Sequence, residues 1–260
     1  MSNDEDVEYP DDIITKLEVA FGKGFLSPGG QEEVAKIVEG IDLKGKEVLD
    51  IGVGIGGPAC LLVEDHGAFR VTGIDVEEPV LQRAAATVAS HGLQDRIVLK
   101  RVTPGPLPFD DKSFDVVFSK DSIIHIPDKR ALFREVYRVL RSGGWLVMSD
   151  WYCSEEPFTE EMAKWVEATE LSFAMTPIRN DGSLLDELGF VDHATLDRNP
   201  WFSEFSRKLA ERLGGPDYDE MVATLGQELA DDALYKAKMR ATISAQGQLR
   251  PGHLRGRKPS

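Results

Sequence analysis

Three glycines stand at positions 52, 54 and 57 of the stretch VLDIGVGIGGP, and an aspartate, Asp50, stands two residues ahead of the first. Apolar residues running into closely spaced glycines describe a strand, a sharp turn and a helix start, the arrangement that lets a backbone approach a nucleotide closely. Pro58 suits a first helical turn, where its missing N–H costs little. Asp75 closes the next apolar stretch, RVTGIDV, and a carboxylate there can accept the ribose hydroxyls of an adenosine. Further on, Asp121 and His125 lie four residues apart in SKDSIIHI. An imidazole is the side chain best suited to move a proton near neutral pH.

The two early aspartates discriminate between cofactors. NAD and S-adenosylmethionine would both use Asp75. A carboxylate at position 50 repels a pyrophosphate, yet it suits a cofactor that carries an ammonium and a sulfonium and no phosphate. S-adenosylmethionine, leaving as S-adenosylhomocysteine, is the expected cofactor, with no metal. An aspartate that only caps the glycine turn is the alternative. Methyl transfer to an amine needs an unprotonated nitrogen, a collinear approach and exclusion of water. His125 is the candidate base, and Asp121 can stabilise the ammonium or orient the imidazole. Either can also be structural: His125 packed between isoleucines, Asp121 capping the following helix. Trp151 and Tyr152, after the fifth strand, can offer a methylated ammonium a π-face or simply pack under a cap.

The elements that must position these residues alternate along the chain. A first helix is expected over Asp11–Phe21 and a second over Gln31–Gly40. KEVLDIG, RVTGIDV, RIVLKRV, FDVVFSK and WLVMSDW read as five strands separated by helical segments. The helix DKRALFREVYRVLRSGG is expected to stop at its glycine pair. This rhythm predicts an α/β fold: a doubly wound, mostly parallel seven-stranded sheet, Rossmann-like, with a helical cap and its ligand beyond the strands' carboxyl ends. The expected organisation is a lid over residues 1–30, a cofactor-binding core over 31–150, a helical cap insertion over 151–182, a return to the core over 183–200, a second helical cap segment over 201–246, and a last strand and tail over 247–260.

VLDIGVGIGG, GIDV and LPFDDKSFDVVFSKDSIIHI together resemble the successive motifs of class I S-adenosylmethionine-dependent methyltransferases. LEVAFGKGFLSPGG, SKDSIIHI and MSDWYCSEE look like the corresponding stretches of phosphoethanolamine N-methyltransferases, relatives of the glycine, sarcosine and dimethylglycine methyltransferases. The resemblance implies that Asp50, Gly52 and Gly54 hold the methionine end of the cofactor, and that Asp75 and Val76 take the ribose and adenine edge. It implies that Leu26 and Ser27 close over the cofactor and that Ser119 belongs to its surroundings. Tyr9 would be a lid tyrosine pairing with His125. Thr103 stands where many such enzymes carry an acidic residue for the adenine amino group. Thr169 and Leu171 stand where the phosphoethanolamine enzymes place a phosphate-holding arginine and tyrosine, which leaves Arg179 and Arg240 to compensate.

Composition bounds the partners. The chain has 260 residues, 42% hydrophobic and 29% charged, with a formal net charge of −15. Such acidity repels a nucleic-acid backbone, and no apolar run approaches the ~20 residues needed to span a bilayer. The acidic opening MSNDEDVEYPDD lacks the layout of a signal peptide, and two distant cysteines give no zinc spacing. The expected protein is cytoplasmic and acts on a small-molecule amine or zwitterion, without nucleic acid or membrane, its oligomeric state open. A methyl acceptor at oxygen, sulfur or carbon, or a non-catalytic cofactor-binding protein, are the competing readings.

Overall fold

The computed structural model describes residues 9–260. Seven strands among these residues form one sheet in the order β3-β2-β1-β4-β5-β7-β6. Their ranges are β1 Glu47–Ile51, β2 Arg70–Asp75, β3 Ile97–Arg101, β4 Phe114–Lys120, β5 Leu140–Asp150, β6 Val191–Asp197 and β7 Gly252–Arg257. The first five run parallel, while β7 is antiparallel to both β5 and β6. The chain reverses strand order between β1 and β4, so their carboxyl ends open the crevice in which such sheets bind ligands.

Among the described residues ten α-helices flank the sheet or cap it: α1 Asp11–Phe21, α2 Gly30–Ile37, α3 Gly57–Glu64, α4 Glu78–Ser90, α5 Lys129–Val139, α6 Glu160–Thr169, α7 Ile178–Leu188, α8 Asn199–Leu213, α9 Tyr218–Leu225 and α10 Gln227–Ala245. One face of the sheet is buried through Val48, Val71 and Phe118 against α2, α3 and α4. The other is buried through Leu49, Val117 and Leu146 against α5 and α7. Both faces are covered over the central strands β1 and β4, and for that reason these read as continuous apolar runs. The cap has its own cores, one joining α6, α8 and α10 around Met162, Trp165, Phe202 and Ile243, the other joining α8, α9 and α10 to α1.

Two boundaries differ from the sequence reading. The helix before β5 ends at Val139, and β5 begins at Leu140, ahead of the glycine pair. Leu140 pairs with Phe114 before a register shift, and Gly144 lies so close to the backbone of Asp115 that a Cβ would stand 2.8 Å from its carbonyl oxygen. The glycines serve strand pairing there, not helix termination. Helix α7 runs through the boundary placed at residues 182–183 and packs on α5, β6 and β7 as part of the sheet's cover.

Candidate active site

Two cavities meet at the carboxyl ends of β1, β2, β4 and β5. The first, about 780 Å³, lies over the glycine turn and is lined by Gly52, Gly54, Asp75, Val76 and Thr103. The second, about 480 Å³, lies between α1, α6 and α10 and is lined by Trp151, Trp165, Phe173, Lys16, Lys236 and Arg240. Tyr9, Leu26, Ser27, Asp121 and His125 line both. These five residues form the passage between the chambers.

The glycine turn is shaped by positive φ at Gly52 (+71°) and Gly54 (+56°), a region that L side chains avoid. Leu26 covers Gly54 from the N-terminal loop, and the Gly57 amide donates to the Gly24 carbonyl at 3.1 Å. Asp75 accepts three backbone N–H bonds, from Val76 (2.8 Å) and Glu77 (3.2 Å) on Oδ1 and from Gly54 (3.1 Å) on Oδ2. Oδ1 is thereby filled. Oδ2 has a single donor, Gly54, and Asp75 lines the chamber, so one acceptor position is left for a ribose hydroxyl.

Charge identifies what the first chamber can take. Its lining holds Asp75, Glu77, Asp121, Asp128 and Glu135 against Lys120 and Arg134. Lys120 is already committed to Asp121 at 2.8 Å. A pyrophosphate would meet net negative charge here, whereas a ligand bearing an ammonium and a sulfonium would be attracted. The residues therefore fit S-adenosylmethionine.

Asp50 does not line the cavity. It lies under the floor, 1% exposed, with Oδ2 unpartnered among the described residues. Burial, followed by the charge of Asp75, pushes its carboxyl up to about 8; burial raises Asp75 to about 6 against the pull of its backbone N–H bonds. A cation bound above would favour both charged forms. The sign follows directly: binding expels protons between pH 6 and 8, so affinity for S-adenosylmethionine rises with pH across that window. Titration calorimetry at pH 7 in two buffers of different ionisation enthalpy is expected to show up to one proton released per cofactor. In Asp50→Asn the release shrinks. Equal apparent enthalpies in both buffers would contradict the linkage. The same group sets the stability of the free protein. Folded Asp50 holds its proton above the unfolded value of 3.8, so stability falls as pH rises from about 4 to about 8.

At the passage, Tyr9 Oη lies 3.1 Å from His125 Nε2, and His125 Nδ1 lies 3.0 Å from the Ser172 carbonyl. A carbonyl only accepts, so Nδ1 carries the proton and Nε2 presents its lone pair to the Tyr9 hydroxyl. Asp121 does not orient the imidazole. It adopts φ +56°; its Oδ1 accepts from Ser149 Oγ at 2.8 Å, and its Oδ2 pairs with Lys120. Lys120 also donates to Ser27 Oγ and to the Pro28 carbonyl, which ties the N-terminal loop to the end of β4.

Three other predicted residues lie outside both chambers. Ser119 is fully buried and donates to the Ile51 carbonyl at 2.8 Å, joining β4 to β1. Tyr152 is fully buried, with Lys129 over its ring, and burial followed by the charge of Asp181 pushes its hydroxyl well up. Arg179 is exposed and paired with Glu155. Arg240 does line the second chamber: it is 8% exposed, its Nε has no partner among the described residues, and its guanidinium stacks 5.2 Å from the Phe21 ring. Burial alone lowers it to about 10.

Lys16, Lys236 and Phe173 were not anticipated from the sequence. Lys16 and Lys236 share Asp232 at 2.8 and 3.0 Å. Lys236 and Arg240 lie four apart on α10, the one signal for a cationic face. Phe173 follows the residue that fixes His125, and its ring centroid lies 5.5 Å from the imidazole.

Residues 49–148 match the family described as methyltransferase domain. This stretch is a methyltransferase domain, and the seven-stranded sheet around it has the α/β methyltransferase fold. More particularly, the chain is 32% identical over 256 residues to a phosphoethanolamine N-methyltransferase of Triticum aestivum, covering 98% of this chain and 49% of that protein. It is 32% identical over 216 residues to phosphoethanolamine N-methyltransferase 2 of Caenorhabditis elegans, covering 82% of this chain and 48% of that one. A solved structure of the Haemonchus contortus phosphoethanolamine N-methyltransferase 2, in complex with phosphomonomethylethanolamine and S-adenosylhomocysteine, superposes with a TM-score of 0.89 at 27% identity, over 97% of this chain and 59% of that one. The chain spans about half the length of the curated relatives it matches.

Proposed function

We propose that the chain transfers a methyl group from S-adenosylmethionine to the nitrogen of a small amine that also carries a phosphate. The observation that carries this reading is the pair of chambers joined at Tyr9, Asp121 and His125, one lined with carboxylates and the other walled by Lys16, Lys236 and Arg240. The names of the relatives point to the same acceptor class.

The bound cofactor supplies an electrophilic methyl on a sulfonium. The chain does the rest. Gly52, Gly54 and Asp75 hold the nucleoside and methionine portions. Leu26, Ser27 and Tyr9 close the passage against water, held by Lys120 through the Ser27 and Pro28 contacts. The acceptor ammonium sits against Asp121 and gives up its proton towards His125 Nε2, directly or through the Tyr9 hydroxyl. Thr169 and Leu171 line the second chamber without charge, so the anion falls to the cationic wall. Lys16, Lys236 and Arg240, less the shared Asp232 and the lining Glu170, leave about one positive charge for an anion, and the names of the relatives favour a phosphate over a carboxylate. Buried, unbridged Cys60 and Cys153 suit a reducing compartment, and we place the activity in the cytoplasm.

The test is S-adenosylhomocysteine release with phosphoethanolamine, glycine and their methylated forms, using wild type and Arg240→Met. Methionine replaces a buried cation that has no ion-pair partner among the described residues, so folding is tolerated. Losing one charge-assisted anion contact is expected to raise KM for the phosphorylated acceptor about 10²-fold, with kcat changed little. An unchanged KM would remove Arg240 from the site.

A further inference from the structure

The loop that covers the first chamber is fastened along its length. The Gly24 carbonyl accepts from the Gly57 amide, and Lys120 holds Ser27 and Pro28. One helical turn further on lies a buried ionic cluster that no step of methyl transfer uses. Glu33, in the first turn of α2, is 5% exposed. Arg198, between β6 and α8, donates to it twice, from Nε to Oε1 at 3.0 Å and from Nη2 to Oε2 at 2.6 Å. His253 of β7 reaches Oε1 through Nε2 at 2.7 Å. Burial alone would raise the Glu33 carboxyl, but His253 and Arg198 bring it down to about 2, so it stays ionised near neutral pH. A carboxylate only accepts, and His253 Nε2 therefore carries the proton.

Stability is a poor reason for such a cluster. Taking a carboxylate and a guanidinium out of water costs much of what their attraction returns, and well-packed apolar side chains often serve a core as well. A two-pronged ion pair supplies something an apolar contact does not, a fixed angle between the elements it joins. Here it joins the start of α2, the strand that pairs with β5, and the start of α8 in the cap. Arg198 is itself held, its amide donating to the Pro251 carbonyl at 2.8 Å and its guanidinium lying 4.8 Å from the Trp201 ring. The loop meets the cluster at Gly29. The Gly29 carbonyl accepts from the Glu33 amide at 3.1 Å, and a Cβ at Gly29 would stand 2.4 Å from Glu33 Cβ and 3.1 Å from the Trp201 ring. At φ +96° the position is already one that favours glycine. On its inner side the cluster faces Pro28, Asp121 and Ser149 across a gap of only about 10 Å³.

We propose that Glu33, through Arg198 and His253, is a positioning residue for cofactor binding: it clamps Gly29 and so sets the stretch Leu26–Pro28 over the first chamber. The clamp rests on the first chamber as the S-adenosylmethionine site and does not depend on which acceptor is used. Its effect falls on the cofactor more than on the transfer step. Asp121 and His125 have supports of their own in Ser149 and Ser172, whereas Leu26 lies three residues from Gly29 and covers Gly54 directly.

The experiment measures S-adenosylhomocysteine binding by calorimetry, KM for S-adenosylmethionine, and thermal unfolding without ligand. The proteins are wild type, Glu33→Gln, Arg198→Lys, and Glu33→Gln combined with Arg198→Met. Glu33→Gln strands a buried guanidinium; it is expected to lower Tm and to weaken binding about 10-fold. The double variant removes both charges, and the glutamine amide oxygen still accepts from His253, so Tm recovers towards wild type. Its binding is expected to stay about 5-fold weak, with KM raised to match and kcat within about 3-fold of wild type. Arg198→Lys keeps the charge but not the two-pronged grip, and should weaken binding about 3-fold. Affinity that recovers together with Tm in the double variant, or binding unchanged in all three variants, would show that the cluster only stabilises the fold and would overturn the proposal. A wild-type protein that does not bind S-adenosylhomocysteine would overturn the cofactor site and the clamp with it.

Discussion

His125→Ala is expected to lower kcat by about 10²- to 10⁴-fold, the range lost when a positioned general base is removed. Cofactor affinity should stay within about 2-fold of wild type, because the imidazole's partners are Tyr9 and Ser172 and not the residues proposed to hold the nucleoside, Gly54 and Asp75. The geometry makes the claim specific. Ser172 fixes the Nδ1 proton, so the only basic atom of the ring is Nε2, and that atom faces Tyr9 in the passage. Tyr9→Phe removes the hydroxyl but leaves Nε2 in place, and should cost less, about 10-fold. The double variant should cost little more than His125→Ala alone, since the two groups act in series. Raising the pH deprotonates the acceptor in solution and should narrow the His125→Ala deficit. A kcat within 10-fold of wild type at pH 7, or a deficit that does not change with pH, would show that the imidazole only packs.

Most of what positions this pair is legible in the chain, because it is encoded locally. The boundaries of α1 coincide with its acidic start and the glycine that follows it. Strands β1 and β4 stand out as apolar runs because both their faces are covered, and the glycine turn is marked by a residue type that φ requires. Parity along a strand is harder to read. Trp151 and Tyr152 are neighbours, so only one can face the chamber, and composition does not say which. Ser119 looks like a ligand to anything at the end of β4, yet its hydroxyl turns sideways to a neighbouring strand's carbonyl. The cationic wall is not legible at all in local terms. Lys16 reaches it from α1 and shares a carboxylate with Lys236 across 216 residues of chain. Arg179, the more obvious arginine, is occupied by Glu155 at the surface. The buried Arg240, without an ion-pair partner among the described residues, stands out only once α1 and α10 are seen to pack around it.

Gly52→Ala is expected to be the most damaging small substitution in the first chamber. At φ +71° an alanine costs about 1–2 kcal/mol in backbone strain alone. Its Cβ would also lie 1.8 Å from Ser122 Oγ and 2.3 Å from Ser122 Cβ, far inside contact distance. Ser122 has little freedom to retreat, because Asp121 beside it is held in its left-handed conformation by Ser149 and Lys120. Strain and clash together should cost about 2–4 kcal/mol, or roughly 5–15 °C in Tm for a chain of this size. Gly54→Ala supplies the control. It meets the same backbone strain at φ +56°, but its Cβ finds only Leu26 at 3.6 Å, an ordinary contact. It should therefore lose about half as much stability. Adding Ser122→Gly to Gly52→Ala removes the clash and leaves the strain, bringing the double variant down to the Gly54→Ala level. Thermal unfolding of the four proteins without cofactor decides it: equal losses in the two alanine variants would show that the turn, and not its contact with the Asp121 segment, is what position 52 protects. The contact matters for catalysis as well. A shift of Ser122 moves Asp121 in the passage, so Gly52→Ala should lower kcat on top of its loss of cofactor affinity, whereas Gly54→Ala should weaken affinity alone.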